Sequence, residues 1–72
     1  MSRAEIARDL FGSRPGQWMD GLYLSTVLGR YAWRTRISDC RTRFNMTIEN
    51  RLITLANGAR RSEYRYVPRE GM

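Results

Sequence analysis

Two periodicities divide the chain. Up to Phe44 the apolar residues recur at three- and four-residue intervals, and beyond Asn45 at every second residue. These are the spacings of a helix face and of a strand face. Ser2 followed by Glu5 forms a capping box, in which each side chain serves the other's free backbone N–H. Ile6, Ala7, Leu10 and Phe11 then share a face, and Gly12 reads as a stop, so a first helix is predicted over residues 3–11. Pro15–Gly16 suits a type II turn, because proline presets φ and glycine accepts the positive φ that follows. Residues 17–19 read as a strand stub. Asp20 is an N-cap for a second helix over residues 21–28, ended by Gly29. Leu22, Leu24, Val27 and Leu28 predict that this helix is largely buried.

A third helix, residues 33–44, is the most informative segment. Trp33, Ile37, Cys40 and Phe44 fall at i, i+4, i+7 and i+11 and make a narrow apolar stripe. Thr35, Ser38, Asp39 and Thr42 occupy the opposite face, with Arg34 and Arg41 on one flank and Arg36 and Arg43 on the other.

Residues 47–55 and 62–67 then read as the strands of a hairpin around Asn57–Gly58. A one-residue slip would invert every side chain, so the grouping of apolar residues decides the register. A two-residue turn would set Tyr64 and Tyr66 on the face of Glu49 and Arg51. A three-residue turn over residues 57–59, with Gly58 at positive φ, gathers Ile48, Leu52, Tyr64 and Tyr66 on one face. It pairs Leu52 with Tyr64 and Asn50 with Tyr66. On the outer face Arg51 then opposes Arg65, relieved by diagonal acids at Glu49 and Glu63. Pro68 onward is polar and frayed, giving one domain over residues 1–68 and a flexible tail over 69–72.

Composition narrows the function. Seventy-two residues make one small domain, and 42% apolar residues suffice for a single core. The thirteen basic residues are all Arg, against seven acidic ones, for a net charge of +6. Codon bias can account for the absence of Lys but not for the excess of positive charge, which suits a polyanion. Cys40 has no second cysteine to pair with and no histidine to share a metal, so no zinc site or disulfide is expected and a buried thiol in a reducing, cytoplasmic setting is. There, the Asn45–Met46–Thr47 glycosylation pattern carries no meaning. The chain has no apolar run long enough to span a membrane and no signal-peptide core. Without histidine, a nucleophile beside a base, paired carboxylates or a phosphate-cradling Gly loop, neither catalysis nor a cofactor is expected.

The order helix, strand stub, helix, amphipathic helix, hairpin is that of an α+β winged helix-turn-helix: three helices with a C-terminal wing. Its third helix would enter the major groove of double-stranded DNA. Arg34, Thr35, Ser38 and Thr42 are the base-reading candidates. Arg30, Arg41, Arg43, Arg60 and Arg61 suit phosphates. Arg36 is a further candidate, or is structural and paired with Asp39. Trp18, Trp33, Tyr64 and Tyr66 are assigned to the core; exposed, the tyrosines would instead suit single strands or RNA. A charged helix face can also be simply a solvated face.

Trp18, the run Tyr31–Ala32–Trp33–Arg34–Thr35–Arg36–Ile37–Ser38–Asp39–Cys40–Arg41, then Ile48–Glu49–Asn50–Arg51, Gly58 and Ser62–Glu63–Tyr64–Arg65 resemble small phage and prophage winged helix-turn-helix proteins. The resemblance covers residues 17–67 and implies a DNA-binding fold in a phage or mobile-element setting, as a transcriptional regulator or an excisionase-like architectural factor in a bacterial cytoplasm. The chain departs from it at Cys40, where Leu is frequent, and near Asn45–Met46, where Gly is. The rival reading is a protein-binding module that docks or inhibits a host protein, since fold does not fix function. A homodimer is compatible with either.

Overall fold

In a computed structural model the chain is α+β, and residues 2–68 are described. The tail expected over 69–72 lies outside them. The elements run α1 (Arg3–Ser13), β1 (Met19–Asp20), α2 (Gly21–Leu28), α3 (Trp33–Thr42), β2 (Ile48–Thr54) and β3 (Arg60–Tyr66). Three helices cover one face of a three-stranded antiparallel sheet of order β1–β3–β2, an arrangement compatible with a winged helix.

α1 begins at the expected capping box: Ser2 Oγ accepts from Glu5 N–H at 3.2 Å, and Ser2 N–H donates to Glu5 Oε1 at 3.0 Å. The Ser2 contacts hold the Glu5 carboxyl below its ordinary pKa. Gly12 does not end α1. The helix runs on to Ser13, whose hydroxyl donates to the Leu10 carbonyl and so serves the terminal turn itself. The turn at Pro15–Gly16 forms as read, with Gly16 at φ 78° and Gln17 N–H donating to Arg14 O.

α2 matches its predicted bounds, with Asp20 accepting from Leu22 N–H and Gly29 at φ 109°. Its burial does not match. Leu24 and Leu28 are in the core, but Leu22 is 69% exposed, and Tyr23 and Val27 are also open. Eight residues offer one face to α3 and the sheet, and the remaining apolar residues turn outward.

α3 stops at Thr42, short of Phe44. Asn45 takes φ 55° and Met46 N–H donates to the Cys40 carbonyl, which closes the helix and turns the chain into β2. Asn tolerates this left-handed conformation, so the turn into β2 forms without glycine. The apolar stripe packs as read: Ile37 and Cys40 are buried, and Trp33 and Phe44 are half-buried.

The hairpin keeps its predicted strand parity but not its predicted pairs, and Leu52 on the apolar face is 59% exposed and outside the core. Ile48 faces Tyr66, Asn50 faces Tyr64 and Leu52 faces Ser62. The turn is Ala56–Gly58, closed by Leu55 N–H to Ala59 O at 2.7 Å, with Gly58 at φ 85°. A three-residue loop needs its left-handed residue last, so Gly58 ends the loop and does not sit at its centre. The two-residue shift preserves parity and removes the like-charge opposition of Arg51 and Arg65. Arg51 instead opposes Glu63, and Arg65 opposes Glu49, each ion pair at 2.7 Å. Opposite charges across strands stabilise the pairing, whereas like charges weaken it.

Trp18 is not a core residue. It is half-buried on the outer sheet face, with the Arg51 and Arg65 guanidinium groups 4.1 and 4.6 Å from its ring centre. Tyr64 is in the core and meets Trp33 edge-on at 5.6 Å.

Candidate nucleic-acid interface

The distribution of charge follows from which guanidinium groups have acids to meet. Asp9, Asp20, Asp39, Glu49 and Glu63 pair with Arg8, Arg61, Arg36, Arg65 and Arg51. Glu5 is taken by its capping box. Every described carboxylate is thus engaged, and the outer face of the hairpin is internally neutralised. Arg3, Arg14, Arg30, Arg34, Arg41, Arg43 and Arg60 have no ion pair among the described residues. They carry the surplus charge.

Three of these converge. Arg30 in the α2–α3 turn, Arg34 on α3 and Arg60 at the start of β3 border one groove of about 510 Å3, together with Arg61. Trp33 and Leu22 supply its apolar wall, and Asp20 stands at the N-terminus of α2. Gly21 permits the close approach that builds it. A Cβ there would come 3.0 Å from the Trp33 ring and 3.2 Å from the Ser62 carbonyl. Arg34 also lies over Trp33, 4.9 Å from the ring centre, which orients its guanidinium along this wall. A smaller groove of about 190 Å3 separates α3 from the hairpin, lined by Arg34, Ile37, Arg41, Asn50 and Tyr64.

The other predicted residues divide by whether their polar groups are already used. Thr35 and Ser38 are exposed on the outer arc of α3. Thr42 is exposed, but its hydroxyl donates to the Ser38 carbonyl at 2.9 Å. Arg41 donates from Nε and Nη2 to the Ile48 carbonyl, at 3.1 and 2.7 Å, and ties α3 to β2. Arg36 is half-buried and paired with Asp39 at 3.4 Å, the structural alternative raised for it. Arg43 lies over Phe44 at 5.4 Å, away from the Arg30–Arg34–Arg60 cluster. Arg61 is half-exposed and held by Asp20 at 3.3 Å. With Tyr64 buried and Tyr66 half-buried against the core, the tyrosine pair offers no open stacking platform.

Sequence reasoning missed Asp20, Gly21 and Asn50 as parts of this surface. Asp20–Gly21 reads as a helix cap followed by a weak helix former, and only the packing of α2 on Trp33 reveals the second role. Asn50 becomes visible once the strand parity is known, because it shares the inner face with Tyr64.

The Cys40 thiol is buried, and desolvation, reinforced by the neighbouring Asp39 charge, pushes its pKa up to about 11. Among the described residues no cluster of His, Cys, Asp and Glu could hold a metal ion, and no helix is long and apolar enough to cross a membrane.

No family model, curated protein or solved structure matches the chain.

Proposed function

We propose that this chain is a winged helix-turn-helix domain that binds double-stranded DNA sequence-specifically, with α3 in the major groove and the β2–β3 hairpin as a wing along the backbone or minor groove. The observation that carries the reading is the surplus charge. Arg30, Arg34 and Arg60 lack acidic partners among the described residues and border one groove beside the exposed polar arc of α3. A phosphate backbone supplies the missing anions.

Within this reading the residues take separate roles. Arg34, Thr35 and Ser38 read base edges, and Arg34 has the forked geometry that matches guanine. Arg30, Arg60 and Arg61 contact phosphates. Arg41 positions the wing through Ile48, and Arg36 stays with Asp39. The resemblance of residues 17–67 to small phage and prophage proteins implies the setting, a regulator or architectural factor of a phage or mobile element.

Mobility shifts on a selected duplex test the division of labour. Arg34→Ala is expected to cost about 1–3 kcal/mol and to relax preference at one base pair. Arg60→Ala is expected to weaken all sequences alike. Equal behaviour of the two variants across sequences would contradict it.

The rival, docking of a host protein, draws on an exposed apolar patch that adjoins the groove and shares Leu22 with it. Leu22, Tyr23, Val27 and Tyr31 are exposed on and just beyond α2, Tyr31 by 96%. Retention of a defined protein partner by nuclease-treated material, lost in Tyr23→Ser and Tyr31→Ser variants that still bind duplex, would add that function.

A further inference from the structure

We infer that the groove between α2, α3 and β3 is a site for a single backbone phosphodiester, and that Asp20 is its built-in competitor. The inference rests on the duplex-binding reading and names the group that reading brings to this site.

Four guanidinium groups border the groove, from three separate stretches of chain, and one carboxylate among its lining residues offsets them. That carboxylate has two tasks. Asp20 Oδ1 accepts from Leu22 N–H at 3.1 Å and caps α2, while Oδ2 faces Arg61 Nη1 at 3.3 Å. The Arg61 side chain is 55% exposed in this pair. A long contact in water is weak, so Arg61 can leave Asp20 at little cost. A phosphodiester has two non-bridging oxygens that accept charge-assisted hydrogen bonds from several guanidinium groups at once. Leu22 and Trp33 give its sugar carbons an apolar wall.

When the phosphodiester enters, Arg61 turns from Asp20 to the phosphate. The Asp20 carboxylate then stands beside an anion and repels it. Asp20 therefore stabilises the free protein twice, through the cap and through Arg61, and lowers affinity for the phosphate. Its charge is the antagonist and its oxygen is the cap. Asp20→Asn separates the two, because an amide oxygen still caps the helix.

The probe is thymidylyl-thymidine, which carries one phosphodiester and forms no duplex. It is titrated into the full chain while backbone amides and the Trp33 indole are followed by NMR. Expected are saturable shifts concentrated at Gly21, Leu22, Ser25 and Trp33. Arg60→Ala should weaken binding at least about fivefold, and Asp20→Asn should tighten it about three- to fivefold. Thermal melts establish that each variant is folded, with Asp20→Ser, also a capping residue, standing in if Asp20→Asn is not. Shifts spread evenly over all the arginines, or an affinity that Asp20→Asn leaves unchanged or lowers, would overturn the inference. A parallel titration with duplex separates the two claims. Groove shifts with the dinucleotide but no duplex binding would strike the duplex reading alone. Duplex binding indifferent to both Arg60→Ala and Asp20→Asn would strike the phosphate site alone.

Discussion

Single residues in this chain are set by what they can reach. Burial first, and the Asp39 charge second, raise the Cys40 pKa from an ordinary 9.0 to about 11, against a smaller opposing pull from Arg8. The unfolded chain therefore loses this proton at lower pH than the folded one. Folding stability linked to Cys40 is complete below pH 9.0, and it is lost as pH rises toward 11. Thermal midpoints measured across that window should fall, and Cys40→Ala should flatten the fall. A parallel decline in both proteins would refute the assignment. Gly21 is decided by space. Alanine favours a helix by about 1 kcal/mol over glycine, yet its Cβ would press on the Trp33 ring and the Ser62 backbone. Gly21→Ala is expected to destabilise the fold by about 1–3 kcal/mol in denaturant melts. A stabilised variant would show that α2 and β3 can move apart.

Elements differ in how much of them the sequence makes legible. Capping and turn chemistry act over three or four residues, so the start of α1, the turn at Gly16 and the bounds of α2 could be read directly. Helix ends were harder to read. Gly12 sits in open space with nothing to enforce a stop, and α3 ends early because Asn45 turns left-handed. The hairpin is the clearest case. Apolar parity fixed which residues face inward, but parity is blind to a two-residue shift. Cross-strand charge and the place of Gly58 in the loop made that choice. Trp18 was misread because two arginines cover its ring on the outer face, a burial that apolar patterning does not register. The α3–β2 link was likewise hidden, since Arg41 looked like a charged helix residue and serves a backbone carbonyl. Arg41→Ala should cost about 1–2 kcal/mol of stability, and amide exchange should accelerate in β2 near Ile48. Arg41→Lys should recover only part, because an ammonium lacks the planar fork. Unchanged exchange in β2 would remove the tether.

At the scale of the molecule, the arginines divide into paired and unpaired sets. Thirteen arginines do not make a uniformly basic protein. Five of them are paired with acids, largely on the hairpin's outer face and α1, and three unpaired ones meet at a single groove. That partition depends on strand register and helix packing, so composition alone could not supply it. It also sets the expected salt dependence. About three phosphate contacts, from Arg30, Arg60 and Arg61, give a slope of log affinity against log salt of about −2.7, or about a fortyfold loss over a fourfold rise in salt. The most direct measurement is a titration of the chain into a randomised duplex pool from low to physiological salt, with the bound fraction sequenced. The account predicts binding at low salt, that slope, and enrichment of a short motif. No binding to any duplex at low salt, or binding without enrichment and without salt dependence, would contradict it.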